Sequence, residues 1–366
     1  MKIAYIVLKG IPHGGGIEKY TEEVGSRLVA RGHEVIVYSM RHYDTRDGIY
    51  KGMIIKTVPA PRTRSLEKLT AVLTATLHQC MSQKADIVHF HAFGPAMFCF
   101  IPRLLGTKVI VQGHGIEWKR SKWGIFAKIF LRLSEIPSVR FPHVVTSVSK
   151  VQKQYLFDKY GINSVYIPPG VNLLQVGKPE LIKQYGLHGN DYIFFASRLV
   201  KEKGVHYLIQ SFKKLKTDLK LVISGNTEHE EQYKAKLYQM AKDNRNIIFT
   251  GFVSGRILHE LFSNCYMFVL PSEVEGLPTV LLEAMSYGNC CLVSDIPENL
   301  EALNNSGYTF KDKDVDDLTG KLEYLISNPH VVESVKEKAK NYVIENFLWD
   351  KVALDFEKLY SEVLRH

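Results

Sequence analysis

Hydrophobic residues along the chain fall mainly into short continuous runs that alternate with amphipathic segments. Such runs are typical of strands buried on both faces, because these strands have no solvent-facing side. In the first half of the chain the predicted strands are residues 2–8, 33–39, 85–91, 107–113 and 143–149. In the second half they are residues 191–197, 219–225, 246–251, 266–272 and 289–295.

Helical periodicity separates several of these runs, as in residues 17–32 and 66–80. Alternating strands and helices predict parallel sheets with helices on both faces. The pattern restarts after residues 166–180, where proline and glycine interrupt regular structure.

Two domains follow from this restart and from the length of 366 residues, which exceeds what one hydrophobic core usually organises. We predict an α/β fold of two doubly wound Rossmann-like domains facing a central cleft, at residues 1–170 and 171–346. Residues 347–366 predict an amphipathic helix, and the sequence leaves open whether it packs back across the domains. Ligands of such sheets bind beyond the carboxyl ends of the strands, so the cleft is the expected site.

Composition restricts the cellular setting. The chain contains no run of about 18 apolar residues that would span a bilayer, and its first apolar run is too short for a secretory signal. Five cysteines, an odd number with no Cys-x-x-Cys pair, argue against a disulfide framework. We therefore expect a cytoplasmic, reduced location, and we expect Cys290 and Cys291 to be small apolar residues of a buried strand.

Positive charge is concentrated in the first half of the chain. Residues 1–170 contain 24 Lys and Arg against 11 Asp and Glu, whereas residues 171–366 contain 23 against 27. The first half is therefore the part expected to meet an anionic surface.

Two glutamates eight residues apart, Glu275 and Glu283, flank a predicted strand-to-helix turn in the segment PSEVEGLPTVLLEA. Pro278 suits the first turn of the helix. Backbone amides within residues 277–280, together with the helix dipole, favour phosphate binding. Carboxylates repel phosphate but accept hydrogen bonds from hydroxyls, so a nucleotide-sugar, with a polyol at each end of a diphosphate, matches this segment. An ordinary loop and helix surface would show the same spacing of glutamates.

Three further segments follow predicted strands. In ASRLVKEKG, Arg198 and Lys203 offer positive charge to a diphosphate. In HGGGIEKY, glycines allow close backbone approach to a ligand, although the spacing of a dinucleotide-binding loop is absent. In VQGHGIEWKR, His114 lies between two glycines and is free to project into the cleft. Each segment alone is also compatible with an ordinary loop or a structural histidine.

Taken together and in this order, the motifs resemble the family 4 glycosyltransferases of the GT-B fold. The resemblance covers nearly the whole chain and is most specific from Pro271 to Asn299. It implies retaining transfer of a sugar from a nucleoside diphosphate donor held mainly by the C-terminal domain, with no metal and no cofactor. At residues 289–291 the chain has Asn-Cys-Cys where the family usually has a small residue, Pro and Val, which affects the packing of a strand rather than activity.

The resemblance assigns roles to the residues that match the family motifs. Glu283 would hold the ribose hydroxyls, Glu275 would hold the donor sugar, and His114 would lie close to that sugar. Arg198 and Lys203 would bind the diphosphate. The catalytic set is therefore His114, Arg198, Lys203 and Glu275. The donor-binding set is Gly15, Gly16, Arg198, Lys203, Gly225, Asn226, Phe252, Val253, Glu275, Gly276, Leu277, Pro278, Thr279, Val280 and Glu283.

The chemistry of transfer agrees with these residue types. Negative charge builds on the leaving phosphate, where Arg198, Lys203 and the helix start would stabilise it without a metal. No motif clearly supplies a carboxylate nucleophile for double displacement, so we hypothesise front-face attack assisted by the leaving phosphate.

Residues 118–132 combine aromatic and basic side chains. This composition suits a helix lying on an anionic membrane, which would bring a lipid-linked saccharide acceptor to an enzyme peripheral to the inner face of the cell membrane. A buried helix with a solvated basic face is the alternative. The amino-acid sequence of residues 114–123 also resembles that of transferases that build bacterial surface polysaccharides, such as capsule and lipopolysaccharide.

Two other functions stay open, namely a nucleotide-sugar epimerase on the same scaffold and an inactive sugar-nucleotide-binding module. The joint presence of the four predicted catalytic residues argues against the inactive module. A nucleic-acid partner is not expected, because the basic residues accompany no recognition motif. The nucleotide base, the donor sugar, the acceptor, the linkage and the oligomeric state are not specified by the sequence.

Overall fold

The computed structural model describes residues 1–6, 9–12, 15–43, 47–61, 66–119, 124–227 and 230–365. The chain divides into two compact units, which we call unit 1 (Met1–Gly170 with Trp349–His366) and unit 2 (Val171–Leu348). Each unit is a Rossmann-like α/β domain with a largely parallel sheet. Across the described ranges, every helix is too short or too polar to cross a lipid bilayer.

Unit 1 contains an eight-stranded sheet. Its strands are β1 (Lys2–Ile6), β2 (Glu34–Met40), β3 (Gly48–Tyr50), β4 (Met53–Val58), β5 (Ile87–His91), β6 (Lys108–Gly113), β7 (Val144–Ser147) and β8 (Val165–Tyr166). They lie in the order β3-β4-β2-β1-β5-β6-β7-β8. Only the β3–β4 pair is antiparallel among these strands.

The helices of unit 1, numbered in chain order, are α1 (Gly16–Ala30), α2 (Leu66–His78), α3 (Phe100–Leu104), α4 (Ile125–Arg140), α5 (Lys150–Tyr160) and α13 (Trp349–Arg365). The long helix α13 packs on α1 with seven buried residues, which include Trp349, Phe356 and Tyr360. An ion pair and a hydrogen bond support the packing, because Arg27 Nε lies 2.7 Å from Asp350 Oδ1 and His33 Nε2 lies 2.8 Å from Glu357 Oε1.

Unit 2 contains a six-stranded, all-parallel sheet. Its strands are β9 (Tyr192–Ala196), β10 (Lys220–Ser224), β11 (Ile247–Gly251), β12 (Met267–Leu270), β13 (Cys291–Ser294) and β14 (Tyr308–Phe310). Its helices are α6 (Val205–Phe212), α7 (Glu231–Ala241), α8 (Gly255–Ser263), α9 (Thr279–Ser286), α10 (Pro297–Leu303), α11 (Val315–Ser327) and α12 (Pro329–Asn346). The strand order β11-β10-β9-β12-β13-β14 is that of a dinucleotide-binding sheet, and the order reverses between β9 and β12.

All ten predicted strands are present, and their ends lie within two residues of the predicted ends. Positions 7–8 of the first predicted strand lie outside the described residues. The sequence analysis missed β3, β4, β8 and β14. Cys290 and Cys291 are fully buried at the start of β13, as predicted, and both are free thiols.

Candidate active site

The loops that follow β9 and β12 lie next to each other at the carboxyl edge of the unit 2 sheet. β9 pairs directly with β12, and the strand order reverses between them. Such a switch point is where open α/β sheets bind ligands. The predicted residues Arg198 and Lys203 lie in the first loop, and residues 275–278 lie in the second.

One glycine sets how closely these two loops approach. Residues Lys201–Lys203 form a turn of 3-10 helix that ends at Gly204, where φ is 67°. A Cβ at Gly204 would overlap the carbonyl oxygen of Pro271, and this left-handed φ is unfavourable for residues with a side chain. The amide of Glu273 donates to the carbonyl oxygen of Glu202 at 2.9 Å. These contacts fix the first loop against the second.

Lys203 and Glu275 form an ion pair across the two loops. The ammonium group donates to Oε1 of Glu275, and the side chains are only 10% and 8% exposed. Burial lowers the pKa of Lys203 from the ordinary lysine value; the Glu275 carboxylate opposes this shift, whereas Arg198 adds to it. The structure therefore brings into direct contact two residues that the sequence analysis assigned to the diphosphate and to the sugar.

Arg198 is more accessible, with 51% of its side chain exposed. Its Nη2 lies 3.7 Å from Oε1 of Glu202, whose side chain is 6% exposed. A guanidinium has five N–H donors, so this one contact leaves it able to bind an anion. Sequence reasoning missed Glu202, although its position four residues after Arg198 and between two lysines was a usable signal.

Helix α9 begins at the second loop. Pro278 is its N-cap rather than a residue of its first turn, so the helix starts one residue later than predicted. The first bonds of the helix ladder run from the amides of Leu281 and Leu282 to the carbonyl oxygen of Pro278 at 3.0 and 3.3 Å. The amides of Thr279 and Val280 precede this ladder, as in the first turn of any helix, and are suited to bind an anion.

The remaining predicted residues of this segment differ in burial. Leu277 is buried, whereas Gly276 is partly exposed. Glu283 lies in the second turn of α9 and is also partly exposed. Its position one helical turn beyond Thr279 agrees with the spacing used in the sequence analysis.

The loops after β10 and β11 continue the same edge of the sheet. Gly225 has φ of 149°, and a Cβ there would overlap the carbonyl oxygen of Ser197, so this loop lies directly against the loop that carries Arg198. The amide of Leu199 donates to the carbonyl oxygen of Asn226 at 2.9 Å.

The loop after β11 lies beside the loop after β10, because the amide of Gly225 donates to the carbonyl oxygen of Gly251 at 2.8 Å. Phe252 is 65% exposed and Val253 is partly exposed. An exposed aromatic ring at the carboxyl edge is suited to stack on a flat base. The predicted residues that follow the four neighbouring strands β9, β10, β11 and β12 thus lie along one edge of the unit 2 sheet.

In unit 1 the predicted glycines lie at the start of α1. Gly15 is the N-cap and Gly16 is the first helical residue, whereas His13 and Gly14 lie outside the described residues. A Cβ at Gly15 would overlap the carboxylate of Glu18, which is 6% exposed. The negative charge of Glu18 disfavours a diphosphate at this helix start. The role of these two glycines therefore stays a prediction.

His114 follows β6 and is partly buried. Its Nε2 lies 3.0 Å from Nδ1 of His91, the last residue of β5, and the ring of Tyr20 lies edge-on at 5.3 Å between centroids. Sequence reasoning missed His91. The alternating histidines at positions 89 and 91, at the end of a buried strand, were a signal that could have found it.

Two Asp-x-Asp sequences at residues 312–316 bear on the metal-free prediction, because this pattern is associated with metal-dependent transferases. Asp314 caps α11 and accepts hydrogen bonds from the amides of Asp316 and Asp317 at 3.1 and 3.0 Å. Asp312 lies 3.2 Å from the ammonium group of Lys313. In the described part of the chain these carboxylates serve helix capping and ion pairing.

A cavity of about 410 Å³ lies at the other edge of the unit 2 sheet. Its lining includes Asn190, Cys265 and Asn289, which lie two residues before the starts of β9, β12 and β13. The cavity is therefore separate from the predicted site, which lies at the carboxyl ends of the same strands.

Helix α4 covers the second part of residues 118–132, for which a membrane-bound helix and a buried helix were considered. It begins only at Ile125, and residues 120–123 lie outside the described residues. Its exposed residues include Arg132 and Arg140 and a set of large apolar side chains that are between 38% and 86% exposed, namely Ile125, Phe126, Ile129, Phe130, Leu133 and Ile136. Its buried face is polar and contains Ser134, Glu135 and Ser138. The exposed apolar side chains do not fit the alternative of a buried helix, whereas the exposed Arg132 and Arg140 agree with the solvated basic residues of that alternative.

Buried hydrogen bonds explain why the polar face of α4 lies inside. Glu135 Oε2 accepts from Tyr155 and Tyr160 at 3.0 and 3.1 Å and pairs with Lys159 at 3.1 Å. Ser138 Oγ donates to the carbonyl oxygen of Phe93 at 2.6 Å. The apolar stripe is left to face outwards.

Two family models match consecutive parts of the chain. The model described as Glycosyltransferase Family 4 matches residues 14–174, and the model described as Glycosyl transferases group 1 matches residues 177–342. The chain is a family 4 glycosyltransferase. The family and the enzyme class predicted from the sequence are thereby confirmed, and neither the epimerase nor the inactive module is favoured.

Relatives of this glycosyltransferase include an uncharacterized glycosyltransferase of Methanocaldococcus jannaschii, which is 24% identical over 99% of this chain and 98% of the relative. The capsular polysaccharide biosynthesis glycosyltransferase CapM of Staphylococcus aureus is 26% identical over 49% of this chain and 48% of the relative.

Solved structures confirm the GT-B fold of the glycosyltransferase. Sucrose-phosphate synthase from Thermosynechococcus elongatus matches with a TM-score of 0.86 and 18% identity, over 100% of this chain and 99% of that one. Anabaena HepE in complex with UDP and glucose matches with a TM-score of 0.83 and 17% identity, over 99% and 100%.

Proposed function

We propose that the enzyme transfers a hexosyl group from a nucleoside diphosphate sugar to a saccharide acceptor, with retention of configuration and without a metal. The observation that carries the proposal is the grouping of Arg198, the Lys203–Glu275 pair and the start of α9 at the switch point of the unit 2 sheet. Two cationic side chains beside a helix N-terminus suit a diphosphate.

Each part of the donor has a matching group. The diphosphate meets Arg198, Lys203 and the amides within residues 277–280. Glu283 accepts from the ribose hydroxyls, and Glu275 accepts from hydroxyls of the sugar. The loops at residues 225–226 and 252–253 line the nucleoside. In unit 1, His114 is assigned to the sugar, and Gly15 and Gly16 are assigned to the donor.

The reaction consists of cleavage of the bond between the anomeric carbon and the phosphate oxygen, with transfer to an acceptor hydroxyl. The leaving diphosphate gains negative charge, which Arg198, Lys203 and the helix dipole stabilise. The Glu275 carboxylate is already neutralised by Lys203, which makes it a poor nucleophile. This pairing supports front-face attack, in which the leaving phosphate oxygen takes the proton of the acceptor hydroxyl.

Thermal unfolding with UDP, GDP, ADP and dTDP tests donor binding. A specific nucleotide at about 100 times its Kd stabilises the folded enzyme by about 2.7 kcal/mol. HepE was solved with UDP and glucose, so UDP and UDP-glucose are the first ligands to test. Arg198→Ala should weaken the stabilisation, while Arg245→Ala, at another exposed arginine of unit 2, should not. If no nucleoside diphosphate stabilises the enzyme, the proposed donor class is wrong.

Product analysis tests the reaction. A labelled donor incubated with saccharide acceptors should yield a product with the anomeric configuration of the donor, and chelation by EDTA should leave the rate unchanged. Interconversion of donor epimers would instead identify an epimerase. Trapping of a glycosyl-enzyme with a slow donor analogue would exclude front-face attack.

We also propose that the acceptor is lipid-linked and that α4 docks on an anionic membrane. The outward apolar stripe supports insertion into the headgroup region, and Lys128, Arg132 and Arg140 on the same helix supply positive charge. The similarity to CapM favours a polysaccharide product. A stripe of six large apolar side chains facing water is otherwise unfavourable for a monomer.

A further inference from the structure

Glu273 lies two residues before Glu275, in the loop that follows β12. Its side chain is 18% exposed, and each of its two carboxylate oxygens contacts a different element of unit 2. The hydroxyl of Tyr207 donates to Oε1 at 3.0 Å, and the ammonium group of Lys313 lies 3.4 Å from Oε2. The carboxylate therefore joins this loop to helix α6, which carries Tyr207, and to the loop after β14, which carries Lys313.

Tyr207 is placed by the turn at Gly204. Its amide donates to the carbonyl oxygen of Gly204 at 2.9 Å, and a Cβ at Gly204 would lie 3.1 Å from the Tyr207 ring. Burial raises the pKa of Tyr207 to about 12, and the hydrogen bond to Glu273 acts in the same direction. The hydroxyl thus keeps its proton and is the donor of this bond. The glycine that sets the approach of the loops after β9 and β12 therefore also sets the position of this ring.

Lys313 has an unfavourable backbone conformation. Its φ is 64°, in the left-handed region that favours glycine. Its ammonium group lies between two carboxylates, 3.2 Å from Oδ2 of Asp312 and 3.4 Å from Oε2 of Glu273. The hydrogen bond to Asp312 raises the pKa of Lys313, and the charge of Glu273 acts in the same direction. A lysine here costs more free energy than a glycine, and these two ion pairs are contacts that offset the cost.

The backbone of Glu273 is held from the opposite side. Its amide donates to the carbonyl oxygen of Glu202, in the loop after β9, at 2.9 Å. Glu273 is thus fixed both through its backbone and through its side chain. A single residue, Val274, separates this fixed point from Glu275. Consecutive Cα atoms are about 3.8 Å apart, so a shift of the backbone at Glu273 passes almost directly to Glu275.

We propose that Glu273 is a positioning residue that holds Glu275 at the donor sugar, with Tyr207 and Lys313 as its two supports. The inference rests on the proposed function, which assigns Glu275 to hydroxyls of that sugar. Lys203 compensates the charge of Glu275, whereas Glu273 fixes the backbone from which Glu275 extends. Such precision matters because a displacement of about 1 Å at a reacting centre costs on the order of 100-fold in rate.

Variants of Glu273 test the positioning role in steady-state transfer from the nucleoside diphosphate sugar that stabilises the enzyme most. Glu273→Ala removes both side-chain contacts, and Glu273→Gln keeps an acceptor for Tyr207 but loses the charge that pairs with Lys313. We expect Glu273→Ala to lower kcat by about 10- to 100-fold with a small change in donor KM, and Glu273→Gln to have a smaller effect. An unchanged kcat in Glu273→Ala, or an effect confined to KM, would overturn the positioning role.

Lys313 offers a test that separates activity from stability. Lys313→Gly removes the ammonium group but favours the left-handed backbone, so the free energy of unfolding should change little. We expect its kcat to fall by about fivefold, and Lys313→Arg, which keeps the ion pair with Glu273, should restore most of it. Lys84→Gly is the matched control, because Lys84 is an exposed lysine of unit 1 with φ of 45°. Equal kcat values in Lys313→Gly and Lys84→Gly would contradict the role of Lys313.

A cycle of single and double variants tests whether Glu273 acts through Glu275. In that case Glu273→Ala should lower kcat much less in the Glu275→Gln background than in the wild type, because the residue that it positions is already impaired. An equal factor in both backgrounds would overturn the proposal. Tyr207→Phe combined with Lys313→Gly should reproduce the effect of Glu273→Ala, since it removes both supports. Full activity of this combination would likewise contradict the proposal.

Failure of the proposed function gives a different result. If Glu275→Gln is fully active, Glu275 does not act on the sugar and that assignment is wrong, whatever the effect of Glu273→Ala. If Glu275→Gln has a low kcat while Glu273→Ala has the kcat of the wild type, the assignment of Glu275 stands and the positioning role of Glu273 is wrong.

Discussion

The ammonium group of Lys203 contacts the carboxylate of Glu275, although the two residues are 72 positions apart in the chain. Strands β9 and β12 bring them together because these strands are neighbours in the sheet. Both side chains are almost completely buried, so each charge depends on the other for compensation.

Removal of one charge should destabilise unit 2. We expect Lys203→Met to lower the free energy of unfolding by about 3 to 5 kcal/mol, because it leaves the Glu275 carboxylate buried without a cation. The double variant Lys203→Met with Glu275→Leu should recover most of this loss. Urea unfolding of the three proteins measures the effect, and equal losses in the single and double variants would contradict it.

The two glutamates of PSEVEGLPTVLLEA should affect different kinetic constants. Glu283→Ala should mainly raise the KM of the donor, by about tenfold, because it removes a charged hydrogen bond made in the ground state and the transition state alike. Glu275→Gln should mainly lower kcat, by about 100-fold, because its contact is made at the reacting sugar. Steady-state kinetics measures KM and kcat for both variants, with Glu323→Ala as a control at an exposed glutamate. If Glu283→Ala mainly lowered kcat and Glu275→Gln mainly raised KM, the assignments of the two glutamates would have to be exchanged.

Substitution by alanine should destabilise the protein far more at Gly204 than at Gly186, a glycine with the same backbone conformation. Gly204 has φ of 67° and a Cβ there would overlap the Pro271 carbonyl, whereas Gly186 has φ of 68° and nothing closer than 3.9 Å. Gly186→Ala should cost about 1 to 2 kcal/mol from backbone strain alone. Gly204→Ala should cost more and also weaken donor binding. Similar losses of stability in both variants would show that Pro271 moves aside.

Stability should fall in acid partly because of buried His89. Burial lowers the pKa of His89 to about 3, below the ordinary value of 6.5. Between these two values the unfolded chain binds a proton that the folded chain does not. The free energy of unfolding therefore falls by about 1.4 kcal/mol for each pH unit lost in this range, on account of this residue.

His89→Gln should remove that share of the pH dependence. Urea unfolding at several pH values between about 6 and 4 measures the slope for the wild type and the variant. The wild type should have the steeper slope, since stability supplied by neutral His89 is present above the unfolded pKa and declines below it. Parallel slopes would mean that His89 takes up its proton in the folded state.

The apolar face of α4 should determine membrane binding. We expect Phe126→Asp to abolish sedimentation with vesicles that contain phosphatidylglycerol, because it places a charge where apolar insertion is needed. Ile49→Asp is the matched control, since Ile49 is 79% exposed on β3, at the far edge of the unit 1 sheet. A second copy of the chain could cover this face instead of a membrane, and size-exclusion chromatography tests this alternative. A dimer that dissociates in the Phe126→Asp variant would show that the face binds a second copy.

The sequence predicted the long buried strands because each is a continuous run of large apolar residues. It missed β4 because Lys56 and Thr57 interrupt the apolar run, and it missed β3, β8 and β14 because each has only two or three residues. Short edge strands depend on pairing with a neighbour, which a local pattern does not encode.

The site was predictable as a set of residues but not as a set of contacts. Arg198, Lys203 and Glu275 were identified from motifs, whereas the Lys203–Glu275 pair depends on strand order, which is a property of the whole sheet. Glu202 and His91 were missed although each carried a local signal, because neither the contact of Glu202 with Arg198 nor that of His91 with His114 is visible without the fold.

For helix α4 the sequence did not predict which face is buried, although it predicted a helix with basic and aromatic residues here. The polar face is inside because the buried Glu135 carboxylate has three hydrogen-bonding partners on α5, a compensation that no spacing within α4 encodes.

Helix α13 has a consequence for biosynthesis. It completes unit 1 by covering α1 and by placing the Tyr360 hydroxyl 2.7 Å from Nδ1 of His89, yet the ribosome makes it after the whole of unit 2. Domains usually fold from the amino terminus onwards as they are synthesised. Here the nascent unit 1 keeps the surface that receives α13 uncovered while 178 residues of unit 2 emerge. We therefore expect unit 2 to reach its final structure before unit 1 does.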